Sequence, residues 1–196
     1  MEQDSPLILG DFAACALALR WLEADRENDC EGKGWLLFYN SGPHSGASQP
    51  HRHLQIIADS RPPIFADSKI GDGRIAALDS LQHQVIGFEN FAGTEEERAC
   101  RWFGAYQRLR AEVLPSPGAS YNLLFTKELM LMVPRQNECF RGLSFNAMAF
   151  AGYLLATCPE QLEMLLDPLT DPIDILGTLC VPAGRGSGTE QLPVED

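Results

Sequence analysis

Asn40-Ser41-Gly42-Pro43-His44-Ser45-Gly46-Ala47-Ser48-Gln49-Pro50-His51-Arg52-His53-Leu54-Gln55 is the stretch around which the rest of the chain is organised. It holds three of the four histidines. It runs between two apolar segments that read as strands, Trp35-Leu36-Leu37-Phe38-Tyr39 and Leu54-Gln55-Ile56-Ile57-Ala58. Side chains alternate along extended backbone, so His51, His53 and Gln55 project from one side. Two imidazoles and an amide in a row, beside a glycine- and serine-rich loop, read as a site rather than as core.

Imidazole is mostly neutral near pH 7, so a ring nitrogen can attack phosphorus without a base to activate it. The nitrogen–phosphorus bond formed is labile, which suits a covalent intermediate passed to a second acceptor. The loop Ser45-Gly46-Ala47-Ser48 offers backbone N–H groups and two hydroxyls to phosphate oxygens, because Gly46 permits close backbone approach. In phosphoryl-type transfer, positioning and charge stabilisation dominate, and Gln55 is placed to contact an oxygen. Two histidines at this spacing on a strand are also a common pair of metal ligands, so a His-x-His metalloprotein is the rival reading.

The string Asn-Ser-Gly-Pro-x-Ser-Gly-Ala-Ser-Gln-x-His-x-His-Leu-Gln resembles the active-site motif of the ATP adenylyltransferases, the diadenosine tetraphosphate phosphorylases. These lie in the histidine-triad superfamily, on the branch of galactose-1-phosphate uridylyltransferase, where Gln takes the third triad position. The resemblance implies that His53 is the nucleophile that becomes adenylylated. It further implies that His51 orients the site, that Gln55 contacts the transferring phosphate, and that Asn40 and Ser45, Gly46, Ala47 and Ser48 hold substrate. It implies diadenosine tetraphosphate, ATP, ADP and phosphate as partners. A divalent cation such as magnesium would travel on the nucleotide, and no protein-held metal is expected.

The resemblance continues through Tyr-Asn-Leu-Leu-x-Thr (Tyr121–Thr126), Val-Pro-Arg (133–135) and Ser144-Phe145-Asn146-Ala147-Met148-Ala149-Phe150-Ala151-Gly152. There it makes Asn146, with Ala147 and Met148, a nucleotide contact; on the residues alone Asn146 is an ordinary cap. The family often follows with Met and then Lys; this chain has Tyr153 and Thr157 at those places. Losing such a lysine removes a charge-assisted contact, often worth about 1.5–3 kcal/mol. The family's N-terminal strands, with their Asn-Lys element, have no counterpart before Ser5. The chain is therefore expected to begin about a third of the way into the usual protein, with the sheet incomplete on that side and an edge left unpaired. A shortened, non-catalytic nucleotide-binding paralogue is the alternative that follows.

The chain has 196 residues, 45% hydrophobic, enough for a proper core. Its net charge of −12 argues against sequence-independent nucleic-acid binding. Because polyphosphates are anions, local positive potential is expected from backbone amides and a few cations such as Arg52, Arg135 and Arg141. The six cysteines show no C-x-x-C spacing, and no signal peptide or membrane-length apolar run is evident. Reduced thiols in an intracellular protein of the cytoplasm or the nucleus are the reading; nucleic acid and membrane are not expected partners.

The expected fold is α+β, an antiparallel sheet of the histidine-triad/uridylyltransferase type with helices packed on one face. Asp11 to Leu22 reads as a helix with an apolar stripe of Leu17, Trp21 and Ala24 around Arg20, capped by Ser5 or Asp11. Asp59 to Gly73, interrupted by Arg61-Pro62-Pro63, reads as loop. His83 to Phe91 reads as a strand, and His83, with no motif around it, as surface. Thr94-Glu95-Glu96-Glu97 is a capping box opening a helix to about Leu114, with Ala99, Trp102, Phe103, Tyr106, Leu109 and Val113 on its core face. Tyr121–Thr126 and Leu129–Pro134 read as a hairpin, and short helices follow at Cys158–Leu166 and Pro172–Leu179. Residues 1–92 form the motif-bearing region and 93–183 the C-terminal region of one globular unit. The Gly-rich run in 184–196 reads as a flexible tail, not a phosphate loop.

Overall fold

The computed structural model describes residues 2–24, 34–58, 62–66, 70–71, 73–89 and 93–182. The expected tail lies outside them, as do Arg61 and Asp59 in the expected loop. The fold is α+β. Its centre is a five-stranded antiparallel sheet in the order β2-β1-β6-β7-β5, made of β1 (Trp35–Ser41), β2 (Leu54–Ala58), β5 (Gln84–Gly87), β6 (Tyr121–Phe125) and β7 (Leu129–Pro134). The two-stranded pairs β3 (Ile70–Gly71) with β4 (Arg74–Ile75) and β8 (Cys139–Phe140) with β9 (Leu143–Ser144) stand apart from it. Residues before and after position 92 interleave in one sheet, because β1 pairs with β6 and β5 pairs with β7.

Strand alternation divides the core in two. Leu37, Tyr39, Leu123, Phe125, Met130 and Met132 face one way, where α1 (Leu9–Ala24) and α3 (Glu95–Val113) cover them. Thr94 caps α3: its hydroxyl accepts from Glu97 N–H while the Glu97 carboxylate accepts from Thr94 N–H. The expected face of α3 then buries Ala99, Trp102, Tyr106, Leu109 and Val113. Trp102 meets Phe125 edge-on at 5.2 Å, and Phe12 of α1 lies 5.8 Å from the same ring.

The stripe expected on α1 is on the wrong side. Phe12, Cys15, Ala16 and Leu19 are buried, whereas Leu17 is 46% and Trp21 69% exposed. The helix is apolar nearly all round, so periodicity could not choose its buried face; packing against α3 did. Asp11, one of the two expected caps, accepts Ile8 N–H at 2.7 Å.

Leu36, Phe38, Leu124, Leu131 and Val133 face the other way. They are covered by β9, a 3₁₀ helix at Ala147–Ala151 and α5 (Pro172–Leu179). The helix α4 (Pro159–Leu166) adds half-buried Met164 and Leu165. Within the expected loop, Pro63 opens a short helix, α2 (Pro63–Ala66), since proline suits a first helical position where its missing N–H costs nothing.

His83 is also not where the sequence reading put it. It is 1% exposed, its Nε2 accepting Ile75 N–H at 2.8 Å and its Nδ1 lying 3.0 Å from the Leu81 carbonyl. That arrangement suits a neutral ring donating from Nδ1. Burial holds its pKa below the ordinary histidine value. No described helix is long and apolar enough to cross a membrane, and the five described cysteines are free thiols.

Candidate active site

The site grows from the register of β1 and β2. Tyr39 pairs with Leu54 and Phe38 with Gln55, so Gln55 shares a face with Phe38, on the side away from α1 and α3. One step past the last ladder pair on each strand stand His53 and Asn40. The His51 and His53 rings lie edge to face with centroids 5.8 Å apart, both side chains exposed, and Gln55 is half-buried. The expected row therefore exists as a co-facial set at the sheet edge.

Arg52 points to the opposite face, as alternation requires. Its guanidinium sits 2.9 Å from Asp11 of α1 and donates to the Pro6 carbonyl, also at 2.9 Å. Its side chain is only 7% exposed. Arg52 thus fastens the histidine strand to the helix instead of lending charge to a phosphate. The N-terminal residues brace the same edge: Glu2 bridges His51, Gln3 donates to the Asn40 carbonyl, and Tyr39 donates to the Gln3 carbonyl.

The loop after β1 turns through Gly42 at φ +82° and Gly46 at φ +71°. A Cβ on Gly46 would sit 2.3 Å from the Phe145 carbonyl oxygen, so glycine is what lets the loop touch the segment before the 3₁₀ helix. Ser45 is fully buried and its hydroxyl donates to the Gly42 carbonyl at 2.7 Å. Of the two loop hydroxyls expected to face phosphate, only that of the exposed Ser48 is outward. Among the described residues, no acceptor takes the N–H of Gly46, Ala47 or Ser48. Beside the loop opens a cleft of about 460 Å³ lined by Glu2, Gln3, Asp4, Gly42, Pro43, Ala47, Gln49 and Pro50. The histidines stand outside that lining, on the exposed segment that leads into β2.

Behind the loop is a buried polar chain that sequence reasoning missed. Asn40 and Asn122 are direct partners across β1 and β6. Asn122 Nδ2 donates to Asn40 Oδ1 and to the Ser45 carbonyl, each at 2.8 Å. The Ala147 N–H donates to the same Asn40 oxygen at 2.9 Å. Arg135, 3% exposed, donates to Asn122 Oδ1 and to the carbonyls of Phe145, Asn137, Glu138 and Leu179. Its guanidinium also lies 5.4 Å from the Phe150 ring centre. Burial lowers its pKa to about 10, which leaves it charged at neutral pH. The only sequence signal for this chain was a polar residue in each of two otherwise apolar strand ends.

The remaining expected contacts are dispersed. Asn146 caps the 3₁₀ helix, its Oδ1 accepting the Met148 N–H at 2.9 Å. Tyr153 is half-buried against the core, its N–H donating to the Met148 carbonyl. Thr157, at the start of α4, gives both N–H and hydroxyl to Gln161 Oε1. Arg141, at φ +47°, stacks over Phe140 at 5.3 Å. The three expected cations are thus committed to an acid, to carbonyls and to a ring. For the metalloprotein reading, no three His, Cys, Asp or Glu side chains converge among the described residues.

Comparisons with known proteins identify the family. Residues 80–182 match the family model of the ATP adenylyltransferase C-terminal domain, and residues 1–66 that of the Ap4A phosphorylase N-terminal domain. A Saccharomyces cerevisiae protein named as a diadenosine tetraphosphate phosphorylase (phosphorylase 2) is 28% identical over 85% of this chain, and Protein APA1 of the same yeast 25% over 86%. The chain spans 58% of the length of each of these relatives. The crystal structure of yeast Ap4A phosphorylase Apa2 shares the fold at a TM-score of 0.69 and 24% identity, over 96% of this chain and 67% of that one. The same enzyme in complex with Ap4A aligns at 0.65 and 25% identity, over 93% and 66%. With a family model matched across more than half its length and the fold to go with it, the chain belongs to the ATP adenylyltransferase (Ap4A phosphorylase) family.

Proposed function

We propose that this chain is a nucleotidyltransferase acting on diadenosine polyphosphates through a His53–AMP intermediate. The observation that carries the reading is the co-facial His51–His53–Gln55 row beside a loop whose Gly46 amide has no partner among the described residues. A relative's name supplies the substrate class. In the first step a neutral ring nitrogen of His53 attacks an α-phosphorus of diadenosine tetraphosphate; the nitrogen–phosphorus bond forms as the bond to the bridging oxygen breaks, and ATP leaves. Inorganic phosphate then attacks the adenylyl phosphorus and releases ADP. Run backwards, the same steps join ADP and ATP with loss of phosphate. Gln55 and the loop amides hold non-bridging oxygens, and His51 sets the plane of the His53 ring. A divalent cation carried by the nucleotide would screen the polyphosphate. The setting is intracellular, in the cytoplasm.

His53→Ala is expected to abolish AMP labelling of the protein from α-labelled substrate and to cut phosphorolysis by three orders of magnitude or more, with circular dichroism unchanged. Near-native turnover in that variant would remove His53 from the nucleophile role. A second reading, a nucleotide-binding protein without turnover, is favoured by the cleft beside the loop, whose lining leaves out the histidines. Calorimetric binding of ATP with no phosphorolysis by the native chain would select it.

A further inference from the structure

The buried chain from Arg135 to the loop has a consequence for substrate binding that holds if Ser45–Ser48 is a phosphate cradle. A guanidinium has five N–H donors, and each of Arg135's five meets a carbonyl oxygen, one of them the Asn122 side chain. None of those hydrogen-bond partners is a carboxylate, so the charge is held chiefly by dipoles, with the Glu138 carboxylate acting on it through space. Asn122 accepts from this cation through Oδ1, which polarises its amide and strengthens the two bonds it donates, to Asn40 Oδ1 and to the Ser45 carbonyl. One residue earlier the loop is held again: His44 N–H donates to Ser120 Oγ at 3.2 Å, and Arg135 N–H donates to the Ser120 carbonyl at 2.8 Å.

The trans peptide turns this anchoring into a direction. Across a planar trans bond the carbonyl and the following N–H point opposite ways. With the Ser45 carbonyl drawn inward to Asn122, the Gly46 N–H is turned away from Asn122, and no described residue accepts it. We propose that Asn122 and Arg135 are positioning residues for the polyphosphate. Asn122 aims the Gly46 amide at the anion, and Arg135 fixes Asn122 while lending the acidic chain a buried positive charge behind the loop.

Asn122→Asp tests both parts with almost no change in volume. It keeps the acceptor for Arg135, cancels the cation, and removes both donors toward Asn40 and Ser45. Binding of inorganic tripolyphosphate by calorimetry and steady-state phosphorolysis of diadenosine tetraphosphate are measured on the native chain, Asn122→Asp and Leu109→Ala. The last is a core truncation in α3, remote from the loop, that controls for lost stability. The expected result is at least a tenfold rise in tripolyphosphate Kd and in KM for Asn122→Asp, a smaller fall in kcat, and no change in either constant for Leu109→Ala. A folded Asn122→Asp with Kd within twofold of native overturns the proposal. If that variant does not fold, Arg135→Lys, which keeps charge but loses the fork, gives the same reading: a Kd raised severalfold supports it and an unchanged Kd overturns it. A native chain that binds tripolyphosphate without phosphorolysis removes the catalytic reading above and leaves this one standing. One that binds no tripolyphosphate overturns the cradle and this inference together.

Discussion

The two faces of the central sheet are built on different principles. The face under α1 and α3 is closed by two regular helices and by aromatic rings: Phe12, Trp102, Tyr106 and Phe125 form one cluster. Its polar atoms are few and paired, as where Tyr106 and Tyr121 share a hydrogen bond at 2.7 Å and Leu7 N–H donates to Tyr106 at 3.0 Å. Burial and these contacts push the Tyr121 hydroxyl's pKa upward, so it stays protonated. The other face is closed by short and irregular segments. Two asparagines and an arginine run through it as a continuous polar chain, and the histidine row stands at its edge. Apolar packing is non-directional and makes the first face stable. Hydrogen bonds are directional, and they give the second face a defined loop.

Deep truncation of the first face should give the largest change. Trp102→Ala is expected to cost about 3–5 kcal/mol, read from the shift of a urea midpoint. A loss below about 1 kcal/mol would mean the helical layer is not what holds the sheet. Gly46→Ala attacks the second face through its backbone. The left-handed φ and the approach to the Phe145 carbonyl together predict a loss of about 2–3 kcal/mol and weakened tripolyphosphate binding, whereas the same change at the solvent-facing Gly118 should do neither.

Asp11→Ala probes the point where the faces meet, because it removes the carboxylate 2.9 Å from the Arg52 guanidinium on the reverse side of the histidine segment. A loss of about 1–3 kcal/mol is expected, less than for a fully buried pair because Asp11 is partly exposed. The Asp11→Ala/Arg52→Met double variant should be less destabilised than the sum of the two single changes.

A smaller, pH-dependent effect belongs to His83. Its folded pKa is depressed, so below the unfolded value of about 6.5 the unfolded chain binds more protons. Stability carried by His83 is complete above that pH and is lost as pH falls from it toward the folded value. His83→Gln should therefore flatten the decline of the urea midpoint between pH 7 and pH 5. The smallest effect is expected at Trp21→Gln on the exposed side of α1, within about 0.5 kcal/mol of native. A larger loss would show that this side of the helix is covered in solution.

How far the sequence reached differs between these faces. In α3 the capping box and the spacing of Ala99, Trp102, Tyr106 and Leu109 gave both the start of the helix and its buried side, because polar and apolar residues segregate there. In α1 they do not segregate, and the stripe expected at Leu17 and Trp21 is outside. Strand alternation correctly put His51, His53 and Gln55 on one side, since a two-residue period leaves no choice once the strand is recognised. The same alternation dictates that Arg52 lies opposite, away from any phosphate on the histidine side. Ser45 was read as a phosphate ligand by its type, yet the turn through Gly42 spends its hydroxyl on a backbone carbonyl.

The sequence by itself determined the strands of the central sheet, the capped helix, the hairpin and the histidine row, because each follows from local periodicity or from the chemistry of a contiguous motif. Only the tertiary structure decided the partners of Asn40, Asn122 and Arg135, the burial of His83 and the face presented by α1. Those outcomes depend on hydrogen bonds and contacts between residues as far as 107 positions apart. A buried polar group is tolerated only where the whole fold brings it a partner, and no local pattern records where that partner will be.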